Sequence, residues 1–281
     1  MISNTSIFGS SNRHRVFTAV KYLTYALLSV NIYLFLQQEL TALEYTFADG
    51  IEPSQIIQSF AATIDTGSWV VLLLLFELET SVLDDSQIKG ATKWLLHGVR
   101  GICYIAIGYA FTGYYAELVA LYNVTLLPSF DPCVAVAQNL SILVTLDEYV
   151  PLDASNCAAM SAEVVRLNGF DIIADAPALQ LARRLAWTDI LNSAAWILVV
   201  IVLEIEVRLQ LRGNLSDKIM DSTKFVKLAL YSTLFCAALY WGYAGEFLDF
   251  WDACLWLFAF IFIELNVFEW QNETTQEGAT P

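Results

Sequence analysis

Trp69, Trp196 and Trp256 share the same set of polar neighbours. Each has Asp or Asn four residues before it (Asp65, Asn192, Asp252) and glutamate eight after it (Glu77, Glu204, Glu264). Each also has a further acceptor ten after it (Glu79, Glu206, Asn266). The segments read DTGSWVVLLLLFELE, NSAAWILVVIVLEIE and DACLWLFAFIFIELN, and between the polar positions they vary freely among apolar residues. Carboxylates inside such runs are costly to desolvate, so they face a bundle interior, where they pair with bases, hold a cation or exchange protons. A weaker repeat supplies the bases. VKYLTY, VRGICY and VKLALY each set a cation four residues ahead of a tyrosine: Lys21–Tyr25, Arg100–Tyr104 and Lys227–Tyr231.

These spacings predict a ring of base–glutamate pairs in one layer, with Arg100 meeting Glu204. Three bases face five carboxylates there, so Glu79 and Glu206 are left over and are the candidates for coupling to a cation or protons. At 100° per residue, the +8 and +10 acceptors fall on opposite flanks of their helix, which lets one helix address two neighbours. The polar layer of Asp65, Asn192 and Asp252, with Asp189 close by, lies ~18 Å along the helix from the ring. On the even-numbered spans only Val, Leu, Ile, Phe and Ala run from each tryptophan to its glutamate, which argues against an open aqueous pore, although the odd spans add Asn31, Thr112, Tyr109, Ser232 and Thr233. Trp69, Trp196 and Trp256 read as packing anchors beneath the second layer, and the bland alternative for the ring is a fastener that fixes helix order and depth.

The elements that hold these residues follow from composition. The chain has 281 residues, 57% hydrophobic and only 15% charged, against about a quarter charged in soluble domains. Apolar runs of ~20 residues recur, enough to cross a bilayer core. The expected fold is an all-α polytopic membrane protein of six spans, at about 16–42, 55–82, 94–121, 184–211, 223–245 and 249–270. They form three tandem helical hairpins with approximate threefold pseudo-symmetry about the membrane normal. The bundle thus covers 16–121 and 184–271, between tails 1–15 and 272–281, with a loop subdomain, 122–183, inserted between spans three and four.

Basic residues set the orientation. Arg13, Arg15, Lys21, Lys89, Lys93, Arg100, Arg208, Arg212, Lys218, Lys224 and Lys227 fall on one side, and only Arg166, Arg183 and Arg184 on the other. Both tails are therefore expected in the cytoplasm and the 122–183 loop outside a cytoplasmic or plasma membrane. Most of the formal charge of −15 falls outside, as a solvated acidic exterior that repels nucleic acid. Cys133 and Cys157 share the loop, where an oxidising environment permits a disulfide. Cys103, Cys236 and Cys254 fall inside spans as apolar filler. Within the loop, Asp153 or Ser155 is expected to cap a short helix running to about Leu167. Gly101 and Gly108, one heptad apart, suggest close helix packing. Trp94 and Trp270 on one side, and Trp187, Trp241 and Trp251 on the other, suggest interfacial belts.

Enzyme signatures are missing: no HExxH, GxSxG, P-loop or CxxC occurs. With two histidines, His14 and His97, the sequence offers no metal site and no haem pair, and no cofactor is expected. The expected function is a channel or transporter for a small cation or protons. The alternative is a non-catalytic structural or regulatory subunit, either self-associating or part of a larger membrane complex. The lipid bilayer is the one partner that both readings require.

Overall fold

A computed structural model of the chain describes residues 11–46, 55–83, 89–160, 163–211 and 217–277. Its helices are α1 (Ser11–Thr46), α2 (Ile56–Ser59), α3 (Ala61–Glu77), α4 (Ala91–Tyr122), α5 (Ala176–Leu211), α6 (Asp217–Ala244) and α7 (Phe247–Glu277). Among the described residues, five helical segments, Arg15–Thr46, Ala61–Thr80, Ala91–Tyr122, Ala176–Leu209 and Ile219–Ala244, are long and apolar enough to cross a membrane. Large apolar side chains such as Ile102, Ile105, Phe225 and Leu228 are exposed on α4 and α6, where water would oppose them and lipid would not. The protein is an integral membrane protein. Its six long helices close a circle: α1 packs on α3, α3 on α4, α4 on α5, α5 on α6, α6 on α7, and α7 returns to α1.

The 55–82 run is expected as a single helix, but the structure breaks it. Phe60 leaves helical geometry (φ −131°, ψ 33°), ending α2 and starting α3 at Ala61. The new N-terminus is satisfied from a distance. The Glu39 carboxylate of α1 accepts the Ala62 N–H at 2.8 Å, the Thr63 N–H at 3.3 Å and the Thr63 hydroxyl. A helix start carries unpaired donors and partial positive charge, and a carboxylate answers both. At its other end α3 continues as a π-helical turn, Leu78–Val82.

Glycine marks close packing at a different place from the one expected. Cβ atoms built on Gly101 and Gly108 would meet nothing within 4 Å, so neither position draws helices together. On Gly113 the added atom would lie 2.5 Å from the Ile57 carbonyl oxygen and 3.0 Å from the Ala61 Cβ. Backbone cannot yield as a side-chain tip can, so Gly113→Ala should cost about 1–3 kcal/mol. Gly101→Ala and Gly108→Ala should be neutral or better. Thermal unfolding of the three variants in detergent checks this, and an unaffected Gly113→Ala would refute the packing of α2 on α4.

The inserted segment is a β-sheet cap in place of the expected helix and loops. Its strands are β1 (Val124–Leu127), β2 (Ser141–Leu143), β3 (Tyr149–Pro151), β4 (Val164–Leu167) and β5 (Ile172–Asp175), in the order β1-β4-β5-β2-β3. Only β2 and β5 run parallel. Asp153 does act locally, its Oδ1 accepting the Ser155 and Asn156 N–H groups, but it caps only a turn. That turn leads to a single 3₁₀ turn (Cys157–Ala159), and the VVRL that follows is β4. Val164 packs into the outer small core while Val165 and Leu167 pack toward the bundle, the two-faced alternation of a pleated strand between two neighbours. The Ser155 hydroxyl, which donates to the same oxygen at 2.6 Å, and the Ser155 N–H hold the exposed Asp153 carboxyl below its ordinary pKa.

Both ends of the cap run directly into helices. β5 ends at Asp175, whose carboxylate accepts the Ala178 N–H at 2.9 Å and starts α5. That start lies well before position 184, where the span was expected to begin. Arg183 ties the junction by donating from Nε to the Leu121 carbonyl at 3.0 Å while its guanidinium lies over the Tyr122 ring. One sheet face shares a core with the bundle through Leu143, Leu146, Leu167 and Ile172 against Leu118, Leu185 and Ala186. The other covers a small core of Ala135, Leu140, Leu152, Val164 and Ile173, closed by the Cys133–Cys157 disulfide. The remaining cysteines, Cys103, Cys236 and Cys254, are free thiols.

Candidate functional site: an acidic chamber beneath the cap

The described positions of the expected ring lie near the helix ends far from the cap, with Lys21 on one of the expected glutamates and Arg100 and Lys227 on glutamates expected to be left over. Lys21 Nζ donates to Glu77 Oε1 at 2.6 Å, and the Tyr22 hydroxyl donates to the same oxygen at 2.9 Å. Arg100 donates to Glu79 at 2.6 Å instead of to Glu204, and Lys227 donates to Glu206 at 2.9 Å. Glu79 and Glu206 are therefore not surplus. Glu204 is met by Arg208 of its own helix at 3.2 Å. The cause is the opposed flanks: Glu77 looks back to α1 and Glu79 forward to α4, and one flank cannot be chosen over the other from spacing alone. Glu264, Asn266 and Trp270 have side chains outside the described residues. Of the repeated tyrosines, Tyr25 is buried, Tyr231 half-buried and Tyr104 largely exposed.

The second expected layer belongs to a cavity. Asp65, Asn192, Asp252 and Asp189 all line one chamber of about 150 Å³ between the cap and the helices. Glu39, Glu117, Asp147 and Asp249 line it as well, which makes seven carboxylates with no Lys, Arg or His among the described lining residues. The chamber recruits these four acids from what reads in sequence as a solvated exterior. Glu39, Glu117 and Asp249 carried a usable signal, since each lies inside or at the edge of an apolar run. Asp147 carried none, because it sits in a loop that only the sheet turns inward.

The chamber's polar atoms are only partly satisfied. Asn31, 1% exposed, donates to Asp252 at 2.7 Å. Trp241 Nε1 donates to Asp189 at 3.2 Å, and the Tyr114 hydroxyl donates to Asp65 Oδ2 at 3.4 Å. Trp241 is thus a buried hydrogen-bonding residue of the chamber wall, not an interfacial one. Asp65 Oδ1 and Asn192 Oδ1 are buried with no hydrogen-bond partner. Toward the cap, Asp147, Glu246 and Asp249 each bring a carboxylate oxygen within 4.8 Å of the others. Burial, then the Glu246 and Glu148 charges, push the Asp147 carboxyl up to about 7. Glu246 is also raised, by burial first and by Glu148, against a lowering contribution from Thr145.

The three repeat tryptophans form the floor. Trp69, Trp196 and Trp256 all border the chamber, with the Trp196 and Trp256 ring centroids 6.3 Å apart and Phe260 4.5 Å from Trp196. Next to them lies a dry core in which Leu28, Val199, Leu234 and Ala259 are no more than 1% exposed. This core separates the chamber from the ion pairs. Gly108 lines a different space, a lateral apolar groove with Ile107, Ile201 and Glu204, which explains the absence of close packing around it.

Fold and site define a class: an integral membrane protein with an acidic, aromatic-floored chamber under a disulfide-closed sheet. No protein-family model, no curated protein and no solved structure matches the chain.

Proposed function

We propose that the protein takes up a small cation or protons into the acidic chamber and moves them across the membrane. In this reading the membrane is a cytoplasmic or plasma membrane, with both termini inside and the 122–183 cap outside. The six long helices are three tandem hairpins, α1/α3, α4/α5 and α6/α7, in approximate threefold pseudo-symmetry. The closed circle of helices and the meeting of the repeat tryptophans at one floor support that arrangement. The observation that carries the functional reading is the chamber wall itself, with seven carboxylates and no base. Such a wall concentrates cations or shares protons among its acids.

The parts then have roles. The chamber is the loading station, and the tryptophan floor with the dry core is the inner barrier. The pairs Lys21–Glu77, Arg100–Glu79 and Lys227–Glu206 hold the helix ends on the far side together. Passage requires these helices to part below the tryptophans, as in alternating access. Asp65→Asn combined with Asp252→Asn should lower cation or proton flux in proteoliposomes by at least about tenfold, the equivalent of ~1.4 kcal/mol of lost binding. Unchanged flux in a folded variant would remove the chamber from the mechanism.

One observation favours a second reading. Glu79 and Glu206 are both occupied by bases, so the ring resembles a finished fastener. A structural or regulatory subunit of a larger complex needs no more than that. It predicts neither flux nor cation binding by the purified protein, and co-purification of a second membrane chain instead.

A further inference from the structure

We propose that the chamber's ligand is a short aliphatic diamine, bound as a dication with one ammonium at the tryptophan floor and the other beneath the cap. This assignment rests on the cation reading above and narrows it from any cation to a two-headed organic one.

The floor station is defined by unmet hydrogen bonds. Asp65 is 8% exposed and its Oδ1 has no partner, while Asn192 Oδ1, at the equivalent repeat position, is also buried and unpartnered. Both residues line the chamber together with Asp252. Buried acceptors without donors are unusual in native proteins and call for a missing group. A primary ammonium brings three N–H donors and a positive charge, which matches two carboxylates and one amide oxygen. Trp69, Trp196 and Trp256 line the same chamber and place aromatic rings beside a cation held there.

The second station lies toward the cap. Asp147 and Asp249 face the chamber, and Glu246 joins them with one oxygen from each acid within 4.8 Å of the others. Asp249 and Asp252 are three residues apart on α7, ~4.5 Å of helix rise. The stations are thus about one helical turn apart, and the wall between them includes Tyr114 and Trp241, surfaces suited to methylene groups.

A bare metal ion fits this chamber less well. A hard divalent cation takes six or more oxygens at about 2.0–2.6 Å in one shell. Here the acids are spread over two levels, and Asp252 and Asp189 are each already turned toward a directional donor, Asn31 and Trp241. The volume of about 150 Å³ equals that of apolar cavities that hold a benzene molecule. It suits a chain of several heavy atoms.

The test is calorimetry on the intact protein in nanodiscs with putrescine, n-butylamine, calcium and potassium. Linking two ammonium groups makes the second contact intramolecular, so putrescine should bind at least about a hundredfold tighter than n-butylamine. Asp65→Asn and Asp249→Asn should each reduce putrescine to the level of the monoamine. Asp171→Asn, on the exposed outer surface of the cap, should change nothing. The comparison of the two amines needs no variant, so a misfolded mutant does not remove the test. Equal affinity for both amines would overturn the diamine assignment. Tight calcium binding that depends on Asp249 and excludes putrescine would also overturn it, while leaving the cation reading standing. No binding of any of the four, together with no flux of cations or protons, would overturn both.

Discussion

Lys21→Met is expected to destabilise the bundle by about 3–5 kcal/mol, more than any other single change among its ion pairs. Lys21 is 7% exposed and Glu77 5%, and their charged atoms are 2.6 Å apart. A charge kept that far from water depends on its counter-charge. Removing the ammonium takes from Glu77 the cation 2.6 Å away that offsets much of its desolvation, which the Tyr22 hydroxyl, a neutral donor, does not replace. The pair Arg208–Glu204 supplies the contrast. Its side chains are 73% and 43% exposed, so Arg208→Met should cost no more than about 1 kcal/mol. Lys21→Met with Glu77→Leu should recover most of the loss, because the cost lies in the uncompensated charge more than in the missing pair. Unfolding in mixed micelles, run as a double-mutant cycle, measures the coupling. Additive effects would show that the two side chains do not interact.

Loss of the Cys133–Cys157 disulfide is the next largest effect expected. The bridge closes a chain separation of 24 residues, for which the loop-entropy relation gives roughly 3 kcal/mol. That stabilisation falls on the small core of Ala135, Leu140, Leu152, Val164 and Ile173, which has few apolar residues to hold it otherwise. Cys133→Ser with Cys157→Ser should therefore open the cap before the helices. Limited proteolysis should cut between β2 and β4 with the helical circular dichroism intact. Ligand binding in the chamber should weaken in parallel, since Asp147 reaches it only from the cap. Equal protease resistance of reduced and oxidised protein would mean that the sheet alone holds the cap closed.

Hydropathy and length located the long helices to within a few residues at most ends, because a membrane-crossing segment must satisfy its own backbone hydrogen bonds and so declares itself locally. The pairing of Cys133 with Cys157 was legible for a similar reason, since the cap contains no other cysteine. The spacing of Asp65, Asn192 and Asp252 from their tryptophans put three polar groups at one depth. The helix break at Phe60 was not legible, because what starts α3 is Glu39, more than twenty residues away on another helix.

Sequence by itself determined that polar groups sit at two levels of an apolar bundle, since depth depends only on residue count along a helix. Tertiary structure alone decided which groups meet. Arg100 sits on α4, which packs against both α3 and α5, and the fold brings its guanidinium to Glu79 and not to Glu204. The chamber is the larger case: Glu39, Glu117, Asp147 and Asp249 come from four separate elements, and their convergence depends on how those elements pack. Periodicity records which way a side chain faces relative to its own helix. It does not record what stands opposite.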